Sequence, residues 1–136
     1  MKPIRYIVFL SFIAVLSCGR NNAYVPPEED MLYRVECFHQ TKPDSVIQIL
    51  DTLDVSVLSK KERAHYCLLL GRSMHFLRLD ENVTDSLIDE AENYFSGSNE
   101  KYYEAMTYFQ KGWNKSASDV LDYRQKALQT IEQCKH

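Results

Sequence analysis

Hydrophobic residues recur at three- and four-residue steps through most of the chain after residue 29, which is the period of an amphipathic helix. The pattern predicts six helices and no strand. The first spans about 29–40. The second opens at Thr41, a candidate cap, and Pro43 falls in its first turn, where a missing N–H costs nothing. The third opens with Ser59-Lys-Lys-Glu62, the pattern of a capping box.

Apolar stripes indicate which faces these helices bury. The middle of the third helix, 66–70, is apolar on all sides, so this helix is expected to pack against several neighbours. Gly97 is expected to end the fourth helix. The expected buried stripes are Val46, Ile47, Leu50 and Leu53 on the second helix, Leu87, Ile88, Ala91, Tyr94 and Phe95 on the fourth, Tyr102, Ala105, Met106, Phe109 and Trp113 on the fifth, and Val120, Tyr123, Ala127, Ile131 and Cys134 on the sixth. The pattern therefore predicts one all-α domain over residues 29–136.

The segment 1–17 has the features of a secretory signal peptide. Lys2 and Arg5 precede an uncharged run over 6–16, which is too short to span a bilayer. The run leads into Val15-Leu-Ser-Cys18-Gly19, which resembles the bacterial lipobox. This resemblance implies cleavage before Cys18 and lipid on its sulfur, and two or more acyl chains give a stable anchor. The alternative is an ordinary secretory signal with an incidental cysteine.

The segment 18–28 is expected to hold the lipidated cysteine and a flexible tether, because two prolines and two asparagines discourage a helix. Gly19 stands where an aspartate would signal retention at the inner membrane, so we expect an anchor in the outer membrane that faces the periplasm. Loss of the signal peptide lowers Lys+Arg from 16 to 14 against 19 Asp+Glu, a net charge of −5. This acidity argues against nucleic acid and anionic lipid surfaces as partners.

The helical region contains an internal repeat. The stretch Asp44-Ser-Val-Ile recurs at an offset of 41 as Asp85-Ser-Leu-Ile. The same offset relates two further pairs, Ala64 with Ala105 and Gly71 with Gly112. Three agreements in register predict a repeated helical hairpin, and repeats of this length belong to solenoids, in which each hairpin buries its apolar face against the next.

The segment 60–134 resembles tetratricopeptide repeats, whose first helix carries an aromatic residue, a leucine and a glycine at spacings of three and one. In the third helix Leu70 and Gly71 match this motif, while Cys67 replaces the aromatic residue. The second helix of such repeats carries small residues at packing positions, and Ala91 and Ala127 are the counterparts here.

In the fifth helix Tyr108 and Gly112 match the same motif, while Lys111 replaces the leucine. The stretch 43–50, together with the lipobox, also resembles a group of bacterial tetratricopeptide-repeat lipoproteins, whose longer members continue into membrane and regulatory segments. The resemblance implies a short solenoid of about three antiparallel hairpins. Its packing residues would be Gly71, Ala91, Gly112 and Ala127, with the glycines placed where two backbones approach closely.

Aromatic residues are abundant, with nine tyrosines, six phenylalanines and one tryptophan. Tyrosine and tryptophan are favoured at protein interfaces because they bury a large area and keep a polar tip. In the family that this chain resembles, the first helix of each hairpin lines a concave groove that holds a peptide or a partner helix. By that resemblance the residues expected to face a protein or peptide partner are Arg72, His75, Tyr103 and Lys111.

The three cysteines that remain after lipidation are Cys37, Cys67 and Cys134. An odd number cannot form a complete disulfide framework. Since each lies at an apolar helical position, we expect small buried hydrophobic residues. One disulfide with a spare thiol is the alternative in an oxidising compartment.

Candidate catalytic chemistry is sparse. Glu62 and His65 have the Glu-x-x-His spacing by which a helix can offer two metal ligands, but a di-metal site needs a second such motif, which the sequence lacks. The sequence also lacks a glycine-rich phosphate loop, a Gly-x-Ser-x-Gly elbow and a Cys-x-x-Cys pair. We therefore predict no catalytic residue, no cofactor and no metal site.

Two functional hypotheses follow. The first is a membrane-anchored scaffold or adaptor that binds a protein or peptide in the cell envelope through its helical domain. The second is a shortened structural remnant of a longer tetratricopeptide-repeat regulator, without binding activity of its own. A stable domain that captures a defined partner would favour the first, and marginal stability would favour the second because about three hairpins is the lower limit for a solenoid.

Overall fold

The computed structural model describes residues 27–114 and 117–134, and within these ranges it contains six α-helices and no strand. The helices are α1 (Pro27–Glu36), α2 (Pro43–Leu50), α3 (Lys60–Phe76), α4 (Glu81–Phe95), α5 (Lys101–Lys111) and α6 (Ala117–Gln133). Short 3₁₀ turns lie at Val55–Val57 and Gly112–Asn114. The predicted all-α class is confirmed for this part of the chain. None of its helices combines the length and hydropathy that a membrane span requires.

The N-terminal boundaries differ from the prediction. Helix α1 begins at Pro27, inside the predicted tether, because proline is well tolerated at the first helical position. It ends at Glu36 rather than near Gln40. The predicted signal peptide, Cys18 and the tether up to residue 26 lie outside the described residues.

The helix starts show one wrong prediction and one that is confirmed. The cap of α2 is Lys42, whose side chain makes no capping hydrogen bond, so the cap predicted at Thr41 is wrong. At α3 the capping box is present, because the backbone N–H of Glu62 donates to Ser59 Oγ at 3.3 Å and that of Ser59 donates to Glu62 Oε2 at 2.7 Å. This reciprocal pairing satisfies two backbone donors that a helix start otherwise leaves open.

Two helix ends use different backbone conformations. Helix α3 ends in a turn where Arg78 adopts a left-handed φ of 53°, a conformation that glycine usually supplies. Helix α4 ends at Phe95, two residues before Gly97, which was expected to end it. However, Gly97 does not adopt the positive φ that only glycine adopts easily. The freedom of Gly97 is therefore not what ends the helix.

Helix α3 lies at the centre of the fold and contacts α1, α2, α4 and α5, as its all-round apolar character predicts. On one side it supplies Leu69 to a cluster with α1 and α2. On the other it supplies Cys67 and Leu68 to a cluster with α4 and α5. The buried members of the two clusters are Leu32, Val35, Val46, Leu50 and Leu69 in the first, and Ala64, Cys67, Leu68, Ile88, Ala91, Phe95 and Tyr103 in the second.

Ring contacts show that α3 and α5 run in the same direction. The ring centroids of His65 and Tyr103 lie 4.6 Å apart, and those of His75 and Trp113 lie 5.3 Å apart. Both contacts join residues 38 positions apart, as expected for parallel helices in a constant register. Helix α4 connects the two and packs against both, while α6 packs against α5.

Gly71 lies where α3 and α4 approach each other closely. A methyl group at Gly71 would lie 2.7 Å from Ile88 Cδ1 and 3.1 Å from Ile88 Cγ1. Ile88 is buried, so its side chain has little room to move. Glycine at this position therefore allows the two helices to pack at their observed separation.

We predict that Gly71→Ala destabilises the fold by up to about 2 kcal/mol, because overpacking outweighs the roughly 1 kcal/mol by which alanine favours a helix. Ile88→Val removes the clashing Cδ1 and should restore part of this loss, which a double-mutant cycle of chemical denaturation would measure. Gly97→Ala is the matched control, since nothing lies within 4 Å of its added methyl group. If the effects of Gly71→Ala and Ile88→Val on the free energy of unfolding are simply additive, the prediction is contradicted.

Candidate interaction surfaces

The four residues expected to face a partner do not form one exposed surface. Arg72 and Tyr103 are only 4% and 7% exposed, so the expectation that they point outward is wrong. His75 is half-buried beside Trp113. Lys111 forms ion pairs with Asp89, at 2.8 Å, and with Glu92, and thereby joins α5 to α4.

Tyr103 is buried because the end of α1 reaches the surface where a partner was expected. Its hydroxyl donates to Glu36 Oε2 at 3.1 Å, and Nε2 of His65 lies 3.3 Å from the same carboxylate oxygen, although not aligned for a hydrogen bond. The rings of Tyr33 and His65 lie 5.2 Å apart. We call Glu36, His65 and Tyr103 the Glu36 junction, since it ties α1, α3 and α5 together.

Electrostatics favour an ionised carboxylate at this junction. Burial of Glu36 favours its neutral form, but His65, the hydroxyl of Tyr103 and the charge of Arg72 outweigh this effect and lower its pKa. Burial also raises the pKa of Tyr103, so its hydroxyl keeps the proton that it donates. The junction is therefore a structural contact between a carboxylate and a phenol.

We predict that Glu36→Gln lowers the free energy of unfolding at neutral pH by about 1.5–3 kcal/mol, the range for hydrogen bonds to charged groups. Since the folded pKa of Glu36 lies below its unfolded value, the stabilisation is present above about pH 4.5 and is lost as pH falls through the folded pKa. Urea denaturation from pH 7 to pH 3 should show the difference between the two proteins narrowing. Tyr103→Phe removes only the hydroxyl and should reproduce part of the effect. A constant difference across this pH range would overturn the assignment.

The exposed face of α5 also differs from the prediction. Tyr102, Phe109 and Trp113, expected in the buried stripe, are 54%, 42% and 54% exposed. The buried positions of α5 include Tyr103, Ala105, Thr107 and Gln110. The physical reason is that α5 turns Tyr103 towards α1 and α3, which leaves much of its other apolar side uncovered.

This uncovered side forms a groove with α6. It encloses about 480 Å³ and its lining is almost entirely apolar, with Arg124 as its single charged residue. We call it the α5–α6 groove, and its lining residues are Ala105, Met106, Phe109, Arg124, Ala127, Leu128 and Ile131. Leu128 is 64% exposed and Ile131 is 42% exposed, so large apolar side chains here face solvent.

The hairpin α5–α6 reproduces the packing of the hairpin α3–α4. A methyl group at Gly112 would lie 3.1 Å from Tyr123 Cβ, just as one at Gly71 would lie 3.4 Å from Leu87 Cβ. The offset from Gly71 to Gly112 is 41, and that from Leu87 to Tyr123 is 36. Residues of α3 therefore correspond to residues of α5 at an offset of 41, and residues of α4 correspond to residues of α6 at an offset of 36.

The same offsets relate the α5–α6 groove to a buried face of α3–α4. Four residues of the first hairpin correspond to four in the groove, Ala64 to Ala105, Leu68 to Phe109, Ala91 to Ala127 and Phe95 to Ile131. The first member of every pair is buried, because Tyr103 of α5 packs on that face with its ring 5.2 Å from that of Phe95. In the second hairpin none of the other described helices packs on the equivalent face, although Ala105 and Ala127 remain buried between α5 and α6.

The cysteines differ in their surroundings. Cys67 is buried, whereas Cys37 and Cys134 are exposed, so the expectation that all three are buried is wrong for those two. All three are free thiols. Burial raises the pKa of Cys67 to about 12, so this thiol stays protonated and unreactive.

The Glu-x-x-His pair is divided between two structural roles. Glu62 belongs to the capping box, and His65 belongs to the Glu36 junction. Among the described residues no group of three or more His, Cys, Asp or Glu side chains is arranged to hold a metal ion.

Comparisons with known proteins add no further constraint on these surfaces. No family model matches the chain, and neither the curated proteins nor the solved structures include a match.

Proposed function

We propose that this chain is a non-catalytic interaction module of the cell envelope, held to a membrane by lipid on Cys18, and that a partner docks in the α5–α6 groove. The observation that carries the proposal is the open groove. Its apolar residues correspond to a face that α5 covers in the preceding hairpin. A face with the pattern of a helix-packing surface, on which none of the described helices packs, is suited to receive a helix from a partner.

The arrangement of contacts supports a stacked array of the tetratricopeptide type. Helix α3 packs against both helices of the preceding hairpin, α1 and α2. In the same way α5 packs against both helices of its preceding hairpin, α3 and α4. Parallel α3 and α5 and the close approach at Gly71 and Gly112 fit the same architecture. In such arrays each hairpin buries its apolar face against the next, and among the described residues no helix packs on the corresponding face of α5–α6.

We predict that the protein extracted from membranes has the mass of residues 18–136 plus a diacylglyceryl or triacyl modification. Cys18→Ala should abolish both the lipid and the cleavage, because the sulfur of Cys18 carries the lipid. Intact-mass spectrometry of the two proteins measures this directly. Finding the unmodified chain would contradict the anchor and leave the groove proposal standing.

We predict that a photo-reactive phenylalanine analogue placed at Phe109 or at Leu128 in the full chain gives one discrete adduct in intact cells, with the same mass from both positions. An analogue at Gln48, exposed on α2, is the matched control and should not give this adduct. Ile131→Glu places a charge in the groove and should reduce the adduct from Phe109 at least tenfold. Equal labelling from all three positions would overturn the proposal.

A further inference from the structure

The outer edge of the α5–α6 groove continues onto the solvent face of α6. Leu121 is 69% exposed and Leu128 is 64% exposed. Their separation of two helical turns places both on one side of the helix. Arg124, Ile131 and Glu132 lie at three- and four-residue steps from Leu128 and complete this side. We call these five residues the α6 stripe.

Charge is distributed symmetrically along the stripe. Arg124 lies one helical turn before Leu128, and Glu132 lies one turn after it, at equal spacing. Both are exposed, and neither forms an ion pair with another of the described residues. If two copies of α6 run antiparallel about a two-fold axis at Leu128, Arg124 of each copy lies level with Glu132 of the other. A surface that complements itself in this way is what a two-fold interface requires.

We propose that a second copy of this chain occupies the α5–α6 groove, in a two-fold dimer whose α6 helices pack antiparallel with Leu128 at the axis. The proposal rests on the proposed function, since both use the same groove, and it names the partner. Leu128 and Ile131 of one copy would cover Phe109 and Met106 of the other, as Tyr103 covers the equivalent face of α3–α4. Arg124 and Glu132 would form two ion pairs across the axis, which fixes the antiparallel orientation.

The dimer is tested by disulfide formation at the axis. The full chain carries Leu128→Cys, with the exposed Cys37 and Cys134 replaced by serine, and membranes are treated with a mild oxidant. We expect a disulfide-linked dimer, because equivalent residues at a two-fold axis lie within reach of each other. Gln48→Cys in the same background is the matched control. A dimer yield from the Leu128→Cys chain no higher than that from this control overturns the proposal.

Charge reversal tests the orientation and does not depend on any single variant folding well. Added to the Leu128→Cys chain, Arg124→Glu or Glu132→Arg brings like charges together at two places and should lower the dimer yield on the order of tenfold. Co-expression of the two variants restores opposite charges in the mixed dimer, so its yield should return to within about twofold of the parent. Lys126→Glu, on the opposite side of α6, should leave the yield unchanged.

The outcomes separate this inference from the proposed function. If charge reversal lowers the yield and co-expression does not restore it, the antiparallel pairing is wrong. If the Phe109 adduct contains a different protein and the Leu128→Cys chain gives no dimer, the groove binds another partner and only the inference fails. If the analogue at Phe109 gives no adduct and Leu128→Cys gives no disulfide-linked dimer above the level of the Gln48 controls, both proposals fail.

Discussion

The packing of α3 against four other helices is the constraint on which the rest of the structure depends. The run from Tyr66 to Leu70 has no polar side to present to water, so neighbouring helices must enclose it. Leu69 faces α1 and α2, whereas Cys67 and Leu68 face α4 and α5. The two hydrophobic clusters therefore share one helix, and neither half of the fold has a core that is independent of the other.

Much of this architecture follows from sequence because its causes are local. The capping box at Ser59, the central position of α3 and the buried positions of α4 each depend on residues within one or two helical turns. The internal repeat also indicated equivalent glycines, since a close helix approach tolerates few other residues. Helix ends were less predictable, because Arg78 adopts a conformation that its residue type does not suggest.

The positions of the expected partner-binding residues could not be read from the helical period. A period shows that Tyr102, Phe109 and Trp113 share a side with other apolar residues, but it does not show whether another helix covers that side. The burial of Tyr103 depends on Glu36, which is 67 residues away in the chain. A contact between residues so far apart in the chain does not change the three- and four-residue spacing of hydrophobic residues within a helix. The helical period therefore predicted that Arg72 and Tyr103 point outward, whereas both are buried, and it did not reveal the apolar groove between α5 and α6.

The Glu36 junction also determines how the fold would respond to mechanical load. A pull on the chain before Pro27 enters the domain through α1. At the far end of that helix Glu36 contacts both His65 in α3 and Tyr103 in α5. Tension would thus be divided between two further helices at once, instead of peeling the hairpins away in order. Force applied before Pro27 would therefore have to break contacts to both α3 and α5 before α1 could separate from the domain.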